Sequence, residues 1–177
     1  MNLTALGKLC AEAKALYLYE EEDGTQWAGT SACIWQLPRQ LGSVTPEVLC
    51  AIWDVSDEKA AGWHIEEGDF PGAYDTDEYS PDEDILLWWI QRRLVLDGDD
   101  MLPLKATDGE IYTIKTKYIK PGKDAEQPSL CLRRTQGGQP YIVCKDGMFV
   151  TAVILPKQPA PEQVTWLGDV CRGITVE

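Results

Sequence analysis

The alternation of apolar and polar positions changes period several times along the chain, and each change marks an element. Behind Asn2, the residues Leu3, Leu6, Cys10 and Ala13 recur at helical spacing. They predict a helix over about residues 3–14 with one apolar face and Asn2 as its N-cap. Ala15 to Glu20 reads as a strand. The Asp23-Gly24 turn follows, and Gln26 to Leu37, with Trp27, Ile34 and Trp35, closes a first hairpin that Pro38 ends. Thr45-Pro46-Glu47 is an N-cap, an N1 proline and a first-turn acid. It predicts a helix to about Trp53 that buries Val48, Leu49, Ile52 and Trp53. Ser56-Asp57-Glu58 starts one more turn, stopped by Gly62, and Trp63-His64-Ile65 is a short strand.

From Ile85 the period is that of strands. Ile85 to Leu96 carries Trp88-Trp89 and ends at Asp97-Gly98; Met101 to Ala106 runs into Asp108-Gly109. Residues 110–116 alternate, with Ile111, Thr113 and Lys115 on one face and Tyr112, Ile114 and Thr116 on the other. Lys117 to Lys120 is a short stretch stopped by Pro121-Gly122. Leu130 to Arg134 is a strand, and Gln136-Gly137-Gly138 a turn. Tyr141–Cys144 and Met148–Leu155 pair across Asp146-Gly147 as a final hairpin. The segment after Pro156 holds the apolar run Val164 to Val170 and is expected to pack as an appendage. Strands outnumber helices and are joined by tight turns. The fold class is therefore α+β: a mainly antiparallel β-meander sheet packed with two or three short helices. The chain divides into a helix–hairpin–helix half (1–65), an acidic loop or linker (66–84) and a meander half with its C-terminal appendage (85–177), in one compact domain.

Charge separates these parts. Residues 1–90 hold four basic and eighteen acidic residues, a net of −14, whereas residues 91–177 hold twelve basic and eleven acidic, a net of +1, which together give the −13 of the chain. The acidic half repels phosphate. In residues 66–84 nearly every second residue is acidic, none is basic, and Pro71, Gly72 and Pro81 oppose regular structure; the segment reads as a solvated loop. Its aromatic residues Phe70, Tyr74 and Tyr79 nevertheless suit partner recognition, and Trp88 needs cover from a helix, the tail or a partner.

The candidate chemistry is sparse. The six cysteines form no Cys-x-x-Cys pair and read as buried hydrophobes in a reducing compartment. His64 is the single histidine and reads as structural. The acids at Asp75, Asp77 and Asp82 fail the spacing of a calcium loop. No catalytic residue, metal site or cofactor is expected. Without a signal peptide or an apolar run of membrane length, the expectation is a cytoplasmic protein with no membrane partner. One cationic group stands out, Lys115, Lys117, Lys120 and Lys123 with Arg133 and Arg134, and it suits a phosphate backbone.

Gln139-Pro140-Tyr141-Ile142-Val143, Asp146-Gly147 and Ala152-Val153-Ile154-Leu155-Pro156, together with Tyr118, Leu16-Tyr17-Leu18-Tyr19 and Trp27, resemble a small uncharacterised family from prophages and conjugative elements of clostridia. The resemblance spans roughly two thirds of the chain and implies no known activity. A second similarity is to one domain of the bacterial DNA polymerase sliding clamp, in the rhythm of helix and strands and in the closing Val153-Ile154-Leu155-Pro156. It implies a clamp-like fold with Lys115, Lys117, Lys120 and Lys123 on a DNA-facing helix, which Pro121-Gly122 shortens here. Together these readings predict a non-enzymatic accessory protein of a mobile element, binding a protein or DNA near a replication complex. The alternative is an acidic interaction or DNA-mimic module acting through residues 66–84. A homodimer is compatible with either, and an unrecognised hydrolase centred on His64 is the third reading.

Overall fold

A computed structural model describes residues 1–78, 84–89, 94–157 and Leu167. Helix α1 spans Leu3–Ala13, and Asn2 Oδ1 accepts from the Ala5 amide at 2.9 Å, the N-cap that the sequence predicts. Strands β1 (Ala15–Glu20), β2 (Gln26–Thr30) and β3 (Cys33–Gln36) follow, then α2 (Pro46–Ile52), the one-turn α3 (Asp57–Ala60) and β4 (His64–Asp69). The second half holds β5 (Ile85–Trp89), β6 (Leu94–Leu96), β7 (Asp99–Ala106), β8 (Ile111–Lys115), a 3-10 helix over Thr116–Gly122, β9 (Pro128–Arg134), β10 (Pro140–Asp146) and β11 (Phe149–Ile154).

The eleven described strands form one sheet in the order β4-β1-β2-β3-β11-β10-β9-β5-β7-β6, with β8 on the other side of β7. Among these pairs only β1–β4 is parallel. The architecture is α+β with a mostly antiparallel sheet. The sheet also curls on itself. Thr113 of β8 makes an antiparallel bridge to Lys157, just past the end of β11. The Lys157 amide donates to the Thr113 carbonyl at 2.8 Å, and Thr113 Oγ1 donates to the Lys157 carbonyl at 2.9 Å. The path β11-β10-β9-β5-β7-β8 therefore returns to the chain leaving β11, and six strands close into a small barrel.

The two faces of the sheet build two cores. Leu87, Leu104, Tyr112, Ile114, Leu132, Ile142 and Ile154 point into the ring and join the face of β1–β3 on which Leu6, Leu9 and Leu49 of α1 and α2 pack. On the opposite face Trp27, Ile34, Tyr141, Val143, Val150 and Val153 form a second cluster, against which Phe70 and Tyr74 lie. A third cluster joins Leu94 and Met101 to Leu167, which is fully buried, so the C-terminal segment packs on the sheet at this residue.

Several details differ from the sequence reading. Gln26 to Leu37 is two strands, because Thr30 Oγ1 accepts from the Ala32 amide at 3.3 Å and turns the chain. Gly29 makes this turn possible, since a Cβ there would lie 2.1 Å from the Cys33 carbonyl oxygen. Helix α2 buries Leu49 and Cys50, while Val48 and Ile52 are 45% and 44% exposed. Strand β4 extends through Asp69, so the first residues of the acidic segment are ordered along β1 and are not a solvated loop. Of the four Asp-Gly turns only Asp97-Gly98 has positive φ at both residues. In the turns at Asp23 and Asp108 the aspartate instead accepts from the amide two residues on, Thr25 at 2.8 Å and Glu110 at 2.9 Å.

Candidate functional site

At one end of the ring β5, β8 and β10 finish while β9 and β11 begin, and the Thr116–Gly122 helix roofs this opening. The helix is short, running through Pro121 to Gly122 with Lys123 as its C-cap, but it is held firmly. Trp35 Nε1 donates to the Tyr118 carbonyl at 3.1 Å, and the Asn2 amide donates to the Pro121 carbonyl at 2.7 Å. Lys117 pairs with Glu12 of α1. Gly122 lies directly on the Trp35 indole, where a Cβ would approach the ring to 2.4 Å. Beneath the helix lies a cleft of about 200 Å³, walled by Trp35, Trp89, Ile119, Leu130 and Cys144. Lys120 and Lys123, both exposed, line its rim, and no carboxylate among the described residues lines it. Barrel mouths are common places for ligand sites because the strand ends leave concave, partly apolar surface there.

The six cations predicted to bind a phosphate backbone have three different fates. Arg133 is 1% exposed and lies inside the molecule. Its Nε donates to Asp84 Oδ1 at 2.6 Å, and its terminal nitrogens donate to the carbonyls of Asp75 and Asp77 at 2.8 and 2.9 Å. Lys115 pairs with Asp99 at 2.7 Å, Lys117 with Glu12, and Arg134 with Glu110 at 2.9 Å. Lys120 and Lys123 make no ion pair among the described residues. Of the predicted group, only these two, both at the cleft, lack an ion-pair partner among the described residues.

The acidic segment is fastened to the sheet, and the fastening explains where Arg133 went. Lys145 Nζ donates to Asp84 Oδ2 at 2.9 Å and to the Glu78 carbonyl at 2.8 Å. Asp84 thus bridges Arg133 and Lys145. Burial pushes its carboxyl up, but the hydrogen bonds and charges of the two cations more than reverse this and hold it below the usual carboxylate range. Phe70 packs on Trp27 with ring centroids 5.1 Å apart, and Tyr74 meets Tyr141 edge-on at 5.2 Å. Phe70 and Tyr74, expected to face a partner, instead cover the second core. Tyr79 lies outside the described residues. Trp88 is 37% exposed and Trp89 44%, with Leu86 beside Trp88 on the outer face of β5.

The thiols of the described residues offer little nucleophilic chemistry. Burial pushes the Cys10 thiol up to about 12, with Cys33 and Cys50 adding to the shift, and burial lifts Cys33 to about 11. Cys131 and Cys144 also move up, so these thiols stay protonated and poor as nucleophiles. His64 stands on the exposed edge strand β4 with its Nε2 3.5 Å from Glu66 Oε2. Among the described residues no three His, Cys, Asp or Glu side chains gather as a metal site, and no helix is long and apolar enough to cross a membrane. Asp75 and Asp77 meet through the Asp77 amide, which donates to Asp75 Oδ1 at 2.7 Å, and Asp82 lies outside the described residues. The sequence reading missed the cleft walls, whose one linear signal is the Trp88-Trp89 pair. It also missed Asp84 and Lys145, whose partnership spans 61 positions. No family model, curated protein or solved structure matches the chain.

Proposed function

We propose that this chain is a non-enzymatic accessory protein that works by binding another protein, and that strand β5 and the adjoining barrel mouth are its contact surface. The observation that carries this reading is the exposure of Leu86, Trp88 and Trp89 on one strand in the interior of the sheet. To one side of β5 the outer face is covered by Phe70, Tyr74 and the Arg133–Asp84 pair, and to the other Leu167 packs against Leu94 and Met101. Exposed tryptophans next to a concave apolar site are the residues that dominate protein interfaces. A phosphate-backbone role has less support, since four of its six cations are already engaged within the molecule. An acidic mimic acting through residues 66–84 has less as well, since Phe70 and Tyr74 of that segment face inward.

The test is affinity capture from the cells that carry the protein, comparing wild type with Trp88→Ala and Trp89→Ala. A partner that binds the purified wild-type chain directly and is lost by more than tenfold with either variant supports the reading. Equal recovery with both variants, with their folds intact by circular dichroism, overturns it.

A further inference from the structure

We propose that the barrel mouth takes an acidic segment of the partner through one bulky apolar side chain, a proposal that rests on the protein-binding reading above. Size is the first argument. A cleft of about 200 Å³ is smaller than the 300 Å³ or more of ordinary small-ligand sites. That volume suits a single phenylalanine- or leucine-sized anchor. The walls are right for such an anchor: the indoles of Trp35 and Trp89 with Ile119 and Leu130, around a floor that Cys144 completes.

Charge is the second argument, and it sets the sign of the flanking residues. The chain carries 29 acids against 16 basic residues, yet no acid among the described residues lines this cleft. Lys120 and Lys123 are one helical turn apart at its rim and make no ion pair among the described residues. Asp124 and Glu126 follow on the same loop without entering the lining. An acidic segment is therefore repelled by most of the surface and attracted at this opening, which both steers it and fixes which part of it docks. The rigidity of the roof is the third argument. Trp35, Asn2 and Glu12 hold the Thr116–Gly122 helix, so the backbone that roofs the cleft is in place before anything binds, which lowers the ordering cost on this side.

The experiment titrates the full chain with end-capped peptides of the form Asp-Glu-Phe-Asp-Glu, the same with alanine for phenylalanine, and Lys-Lys-Phe-Lys-Lys, following the indole NMR signals. The expected result is a shift of the Trp89 indole with the acidic phenylalanine peptide. Affinity should be at least tenfold weaker for the alanine peptide and for the basic one. The same loss is expected in the Lys120→Glu/Lys123→Glu variant, whose changes are on the surface and leave the fold intact, and binding should weaken with added salt. Equal binding of acidic and basic peptides, or undiminished binding to the double variant, overturns the proposal. So does binding of decanoate or single-stranded DNA at this cleft where the acidic peptide gives no shift. If partner capture is lost with Trp88→Ala but survives the double lysine variant, the protein-binding reading stands and this proposal falls.

Discussion

Asp84 is where a single side chain carries the most consequence. Its two carboxylate oxygens are divided between a fully buried guanidinium and a nearly buried ammonium, and its own side chain is 16% exposed. Such a pair adds little to stability compared with apolar packing, but removing one member leaves the other charged and uncompensated. Asp84→Ala is therefore expected to cost about 3–5 kcal/mol in urea unfolding. The pH dependence has a definite sign. The folded-state carboxyl is held below its unfolded value, so its contribution is complete above roughly pH 4 and disappears as pH falls through the folded value. A stability–pH profile should fall over this acid range more steeply in wild type than in Asp84→Asn. Parallel profiles would show that Asp84 is not the anchor of the segment.

Among the elements, the Thr116–Gly122 helix shows how one glycine positions a whole surface. A Cβ on Gly122 would penetrate the Trp35 ring, while the same indole donates to the Tyr118 carbonyl on that helix. Gly122→Ala must push the helix and the indole apart, at a cost of about 1–3 kcal/mol for overpacking. Combining it with Trp35→Leu should recover most of that loss in a double-mutant cycle, and purely additive effects would place the strain elsewhere. The elements themselves were largely legible: α1 from its period and Asn2, the β10–β11 hairpin from its apolar runs around Asp146-Gly147. Contacts between distant elements were not. Alternation along β9 puts Cys131 and Arg133 on one face and Leu130 and Leu132 on the other. A face bearing arginine reads as solvated, and only the packing of Phe70, Tyr74, Asp75, Asp77 and Asp84 across it makes that face interior. The same limit hid the cleft, whose walls come from β3, β5, β9, β10 and the helix between β8 and β9.

At the level of the whole molecule, closure of the ring is what gives the candidate site its shape. The meander alone would leave β8 as a free edge, a liability for association. The bridge from Thr113 to Lys157 covers that edge with the strand that leaves the other side of the ring. It consists of a backbone hydrogen bond in which Lys157 is the donor and a side-chain hydrogen bond in which it is the acceptor. Lys157→Pro removes the donor, whereas Lys157→Ala keeps it and loses only the solvent-screened pair with Asp97. The two variants therefore separate closure from charge. Lys157→Pro should raise the hydrogen-exchange rate of β8 amides by an order of magnitude or more, leave β1–β3 protected, and reduce binding at the barrel mouth, while Lys157→Ala behaves as wild type. The physical reason is that β8 would then be held on one side only, by β7, and its opening would become a local event. If β8 stays as protected in Lys157→Pro as in wild type, the bridge is incidental, and the Thr116–Gly122 helix is held over the cleft by Trp35, Asn2 and Glu12 alone.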